Sequence, residues 1–242
     1  MSALARISGC LIAVMTAGSI IHAHTPVEFL EVSAGKPASL VEHTVTLQSA
    51  FDEAKVETML SGPHHFSQAV GCLDRPAKEP IAYLNWYQIV GGKKEATRRV
   101  SVLDFMRGAD NTELTIESAE YLLSPAQRIT TGAPSDIPEG LDYYKAYKIV
   151  DAAALNRTVE VTDSAGGTKR QLGKPLLLCV PTKEWHHDEF FDASHDRACL
   201  VVYGLDTREQ QQKFSTIDQF GLNQLQATKS QWLCVRGSLL TK

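Results

Sequence analysis

Tyr143-Tyr144-Lys145-Ala146-Tyr147-Lys148-Ile149-Val150 opens a stretch of chain whose order recurs. It continues through Thr158-Val159-Glu160-Val161-Thr162-Asp163 and ends at Pro175-Leu176-Leu177-Leu178-Cys179-Val180-Pro181-Thr182-Lys183. The next stretch repeats the order, from Cys199-Leu200-Val201-Val202-Tyr203 through Phe214-Ser215-Thr216-Ile217-Asp218 to Gln231-Trp232-Leu233-Cys234-Val235. Asp163 to Cys179 and Asp218 to Cys234 are both sixteen residues apart. Three anchors in one order with equal spacing mark a tandem repeat, the pattern of units that bury their apolar faces against neighbours.

Working outward, Tyr83-Leu84-Asn85-Trp86-Tyr87-Gln88-Ile89-Val90, Val100-Ser101-Val102-Leu103-Asp104 and Leu122-Leu123-Ser124-Pro125 supply the same anchors more loosely. A truncated first unit is read at His43-Thr44-Val45-Thr46-Leu47 and Pro63-His64-His65-Phe66-Ser67. Val159 and Val161 alternate with polar residues, as do Val100 and Val102, the period of a half-buried strand. The opening segments are rich in Tyr, Val and Ile, which pack well on a pleated surface. Gly91-Gly92, Gly166-Gly167 and the Pro134 to Gly140 stretch punctuate them as turns. Helical periodicity is weak, with short helices expected at most over Gln48 to Lys55 or Ser118 to Leu122. The reading is an all-β protein of three to four tandem units, packed as a sandwich, barrel or propeller-like body. The units divide at residues 24–80, 81–140, 141–196 and 197–242.

Residues 1–23 read as a signal peptide. Arg6 precedes a largely apolar, uncharged run from Leu11 to Ile21, and Ala23 offers a small residue for cleavage. That run is too short to cross a membrane comfortably as a helix. Cleavage leaves 23 basic and 28 acidic residues and a secreted or periplasmic protein with no transmembrane segment. The negative balance, without any long basic run, argues against nucleic acid as a partner. Cleavage also leaves Cys72, Cys179, Cys199 and Cys234, an even number that in an exported protein suggests disulfides. Three pairings are possible. Cys179 with Cys199, closing the loop between the last two units, and Cys72 with Cys234 is the preferred one.

The Asp218-Gln219-Phe220-Gly221 and Leu178-Cys179-Val180-Pro181-Thr182-Lys183 segments, with the Tyr-rich opening strands, resemble a bacterial secreted repeat family of unknown function. The likeness is good from Tyr143 to Val235, loose from Tyr83 to Pro125 and poor before that. The chain departs from the pattern where Ser124 replaces a cysteine, and where Ala146 and Val202 stand beside tyrosine. The resemblance implies an extracytoplasmic repeat module and no reaction.

Several residues carry the types that chemistry needs. His186-His187-Asp188-Glu189, with Asp192, His195 and Asp196, offers imidazole and carboxylate ligands for a divalent ion. It lacks the spacing of a zinc peptidase, and a solvated insertion is the plainer reading. Cleavage after Ala23 exposes His24, whose amino and ring nitrogens hold copper if His43, His64 or His65 approaches. Tyr83, Trp86, Tyr143 and Tyr144 offer a stacking face for a glycan or peptide, with core packing as the plainer reading. No Gly-x-Ser-x-Gly elbow, phosphate-binding loop or Cys-x-x-Cys occurs after residue 23. The expectation is therefore a non-enzymatic binding or structural module that recognises a protein, glycan or cell-surface component and needs no cofactor. A copper- or other divalent-ion-dependent enzyme or metal carrier is the alternative.

Overall fold

A computed structural model describes residues 26–91, 95–108, 110–130 and 132–240. Residues 1–23, read from the sequence as a signal peptide, and His24 lie outside them. Among the described residues there is no helix, every strand pairing is antiparallel, and all strands join one sheet. Among the described residues no helix is long and apolar enough to cross a membrane.

The first segment of chain contributes β1 (Phe29–Pro37), β2 (Val41–Ser49), β3 (Val56–Ala69) and the short β4 (Gly71–Cys72). The second contributes β5 (Tyr83–Val90), β6 (Arg98–Asp104) and β7 (Thr112–Ile129). The third contributes β8 (Tyr144–Val150), β9 (Arg157–Asp163), β10 (Gly166–His186) and β11 (Glu189–Phe191). The fourth is two long strands, β12 (Ala198–Asp218) and β13 (Gly221–Leu239).

Each segment follows one plan. An opening strand is followed by a middle strand, which folds back on the first half of a long closing strand. The opening strands and the second halves of the closing strands pair in the order β1, β3, β5, β7, β8, β10, β12, β13 and back to β1. The sheet thus closes into a ring. The middle strands and the first halves of the closing strands form four hairpins. Each docks two segments along: β2 pairs β10, β6 pairs β13, β9 pairs β4, and the second half of β12 pairs the end of β7.

Residue periodicity explains the layers. Leu30, Val32, Leu84, Trp86, Leu123, Tyr144, Ala146, Cys179, Leu200, Val202 and Cys234 alternate along the ring strands and pack together as a single cluster. A face shared by strands all round the ring is its interior. The intervening residues, such as Tyr147, Leu178, Val201, Tyr203, Leu233 and Val235, face outward and are covered by hairpin residues Val100, Val102, Val159 and Val161. This is why Tyr83 to Tyr87 is buried without a break while β9 and β6 bury only alternate residues. A ring strand is covered on both sides and a hairpin strand on one.

Polar bolts lock the same two-along arrangement. Tyr203 Oη donates to Asp104 Oδ2 at 2.9 Å, and Tyr87 Oη donates to Asp218 Oδ2 at 2.6 Å. Ser49 Oγ and Tyr147 Oη share a hydrogen bond of 2.7 Å. The fourth bolt joins β1 to the β9–β10 hairpin: Arg170 Nη1 donates to Glu31 Oε1 at 2.8 Å, both groups almost fully buried. Tyr203→Phe is expected to cost about 1–2 kcal/mol, because Asp104 keeps the backbone bonds from Met106 and Arg107 and loses only the phenol. Urea unfolding at neutral pH reads that difference.

Three expectations are corrected. Residues 48–55 are the end of β2 and a turn, and residues 118–122 lie within β7, so neither is helical. The first segment is not truncated: Phe29-Leu30-Glu31-Val32-Ser33 in β1 supplies its ring strand, and His43 to Leu47 belongs to the hairpin. All four cysteines in the described residues are free and buried. Cys179 stands opposite Leu200, so its side chain and that of Cys199 leave opposite faces of the sheet. Cys72 lies in the outer cluster beneath β9 and Cys234 in the ring interior, which also separates that pair. Burial pushes the Cys72 thiol up to about 11 and the others higher, leaving all four as unreactive thiols.

Candidate functional site

The Asp218-Gln219-Phe220-Gly221 turn closes the β12–β13 hairpin and is where polar chemistry is densest. Asp218 pairs with Gly221 across a two-residue loop, and Gly221 adopts a φ of 107°, a conformation that favours glycine. The three preceding side chains each enter a different environment.

Asp218 points into the molecule. Its Oδ2 accepts from Asn85 Nδ2 at 2.7 Å and from Tyr87, and its Oδ1 accepts from the Phe220 backbone at 2.9 Å and Asn223 Nδ2 at 3.2 Å. Asn223 also donates to Tyr87 Oη, and Thr216 bonds Asn85. Burial raises the Asp218 carboxyl above its usual range against the opposing pull of these donors.

Gln219 reaches β10. Its Nε2 donates to Glu184 Oε1, and its Oε1 accepts from Tyr143 Oη at 3.2 Å. Glu184 is fully buried, and its Oε2 has no protein partner. Burial, reinforced by the Asp218 and Glu189 carboxylates, lifts its pKa to about 8. At neutral pH it is therefore held mainly as the uncharged acid.

Phe220 lies between two histidines. It stacks on His43 with centroids 4.5 Å apart and meets the edges of Tyr87 at 4.7 Å and His186 at 5.0 Å. Partial burial lowers the pKa of both histidines, favouring neutral rings. In front of Phe220 a cleft of about 210 Å³ opens between Val41, His43 and Pro63 on one side and Leu222 and Asn223 on the other. Leu222 is 64% exposed and Val41 is 45% exposed, so the cleft has an apolar rim.

The chemistry of this arrangement is cohesive. Four donors converge on Asp218, and Glu184 is sealed from solvent. The accessible part is the apolar rim and the face of Phe220.

The residues expected from sequence are mostly elsewhere. Tyr83, Trp86, Tyr143 and Tyr144 are all buried, so they form no stacking face: Trp86 and Tyr144 fill the ring, and Tyr83 and Tyr143 lie beneath hairpins. The histidine–acid insertion does not converge. β10 and β11 pair through His186 and Glu189, placing His187 and Asp188 at the hairpin turn, and His195 sits against Asp142 at 3.5 Å. His65 is stacked on Trp232 at 4.5 Å and held neutral, its pKa lowered to about 4 by burial, while His64 has a buried ring nitrogen with no partner. Among the described residues no three His, Cys, Asp or Glu side chains are grouped to hold a metal ion. Glu184, Asn85, Asn223 and Leu222 were not singled out beforehand. The Asp-Gln-Phe-Gly sequence points here, and His43, His186 and Tyr143, candidates for metal binding or stacking in the sequence, border the same site.

A closed antiparallel ring built from repeated opening, middle and closing strands, bolted by tyrosines and acids, defines an all-β tandem-repeat protein. The chain belongs to the family described as a repeat of unknown function, DUF7450, whose model matches residues 83–236. The match runs from the start of β5 to near the end of β13, thus covering the second, third and fourth segments. No curated protein and no solved structure matches the chain.

Proposed function

We propose that the protein is a secreted or periplasmic, non-enzymatic binding module that engages a protein, glycan or surface component through the apolar rim beside Phe220. The observation that carries this reading is the exposure of Val41 and Leu222 around a cleft, on a molecule whose polar motif residues are spent on joining its own segments. Exposed apolar side chains rimming a concavity are characteristic of interaction sites. The leader-like residues Arg6, Leu11 to Ile21 and Ala23 support export, as does the resemblance to bacterial secreted repeats.

The full chain, exported by its own leader and purified, is the material for the test. It is expected to bind saturably to one component of a glycan array or of an extracellular fraction. Val41→Asp with Leu222→Asp should weaken that binding by about ten-fold or more without lowering Tm, since both side chains are exposed. Turnover of a defined substrate, lost on a single substitution, would overturn the reading.

A further inference from the structure

Beside the rim, the outer part of the β12–β13 hairpin, with β1 beside it, presents a face that is basic in a chain that is acidic overall. Lys36 on β1 and Lys213 on β12 both stand opposite Gln226 on β13, so the three residues form a row across three strands. Directly opposed residues share a face, and two strand spacings set the lysine Cα atoms roughly 10 Å apart. The next row places Gln224 opposite Ser215, and the one after it Leu222 opposite Ile217. These residues are exposed or half-buried, whereas the alternating Phe214, Thr216 and Leu225 are buried.

A cleft of about 490 Å³ lies along Lys36, Lys213 and Gln226, and it shares Pro37, Ala38 and Gln224 with the smaller cleft in front of Phe220. The two are therefore continuous. No residue lining either one carries a carboxylate, in a chain with 28 acidic and 24 basic residues. Neither lysine has an ion-pair partner among the described residues. Glu42, the nearest acid along β2, alternates with Val41 and His43 and so leaves the opposite face.

We infer that this continuous groove receives an extended peptide segment of a partner protein, with glutamate or aspartate over Lys36 and Lys213 and an apolar side chain against Leu222 and Phe220. The inference rests on the proposed binding role and names its partner class. Charge complementarity selects an acidic occupant. The apolar end of the groove selects a peptide over an acidic polysaccharide, which has no hydrocarbon side chain to place there.

The probe is a fluorescent eight-residue peptide alternating glutamate with leucine or valine, titrated into the exported full chain by anisotropy. Binding should weaken about ten-fold or more on Lys36→Glu with Lys213→Glu, and should weaken with rising salt. Lys169→Glu, on the β9–β10 hairpin, should leave it unchanged. Unchanged Tm in each variant shows that the exposed substitutions leave folding intact. Equal binding by the peptide with glutamine for glutamate, no effect of the lysine variants, or no binding would each overturn the inference. Binding of polygalacturonate instead, lost on Leu222→Asp, would overturn it and leave the binding-module reading standing. Absence of any ligand at the rim would remove both.

Discussion

Asp218→Ala is expected to lower the unfolding free energy by about 3–5 kcal/mol, the largest single-residue effect outside the apolar core. Truncation removes the acceptor shared by Asn85, Tyr87, Asn223 and the Phe220 backbone. Those donors stay buried or half-buried, and a buried donor left unsatisfied costs about 1–3 kcal/mol. Partial recovery comes from Asn223, which still bonds Tyr87 and the Gly221 carbonyl. Asp218→Asn should cost less, because the amide retains one acceptor oxygen. Urea melts followed by tryptophan fluorescence give the values, and Trp86 in the ring interior is a fitting reporter of global unfolding.

Glu184→Gln is expected to act in the opposite direction, stabilising the protein by about 2 kcal/mol at pH 7.5. The folded-state pKa is raised from 4.5 to about 8, so between those values the folded chain holds a proton that the unfolded chain has released. The stability tied to this group is fully present below about pH 4.5 and is lost as pH rises towards 8. The slope is at most about 1.4 kcal/mol per pH unit. Asp218, also raised by burial, adds to the loss in the same sense. Glutamine keeps the oxygen that accepts from Gln219 and removes the ionisation, so the variant's stability should be flatter across this window. Denaturant midpoints at half-unit pH intervals would reveal it. A wild-type curve with no decline between pH 5 and 8 would contradict the buried neutral acid.

The layered all-β architecture was readable wherever a strand carried its own signature. Val159 and Val161, and Val100 and Val102, announced hairpin strands by alternation, and the tyrosine-rich runs announced ring strands. β1 was missed because Phe29 to Ser33 has no tyrosine and mixes Glu31 into a buried run. The charge is tolerated there because Arg170, 139 residues away, and the Ser230 hydroxyl both donate to it. The aromatic runs admit two readings, a stacking face or core packing, and in the fold they are packed in the core. A strand with aromatics on both faces looks half-exposed in isolation, but hairpins from two segments away cover the outer face. Equal spacing from Asp163 to Cys179 and from Asp218 to Cys234 revealed the repeat without its wiring. Which tyrosine meets which acid depends on ring closure, a relation between residues some 100 to 130 apart. The site is legible in the sequence as the Asp-Gln-Phe-Gly string and as the separate candidates His43, His186 and Tyr143, which only the fold brings together. Glu184, which meets Gln219 from β10, has no local mark.

The central claim is that the motif tyrosines and acids are bolts between segments two apart, making the four segments one cooperative body. A double-mutant cycle of Tyr87→Phe and Asp218→Ala, read by guanidinium unfolding, tests it most directly. The prediction is a single transition in all four proteins and a coupling energy of about 1–2 kcal/mol between the two positions. Additive effects, or separate transitions for parts of the chain, would contradict it.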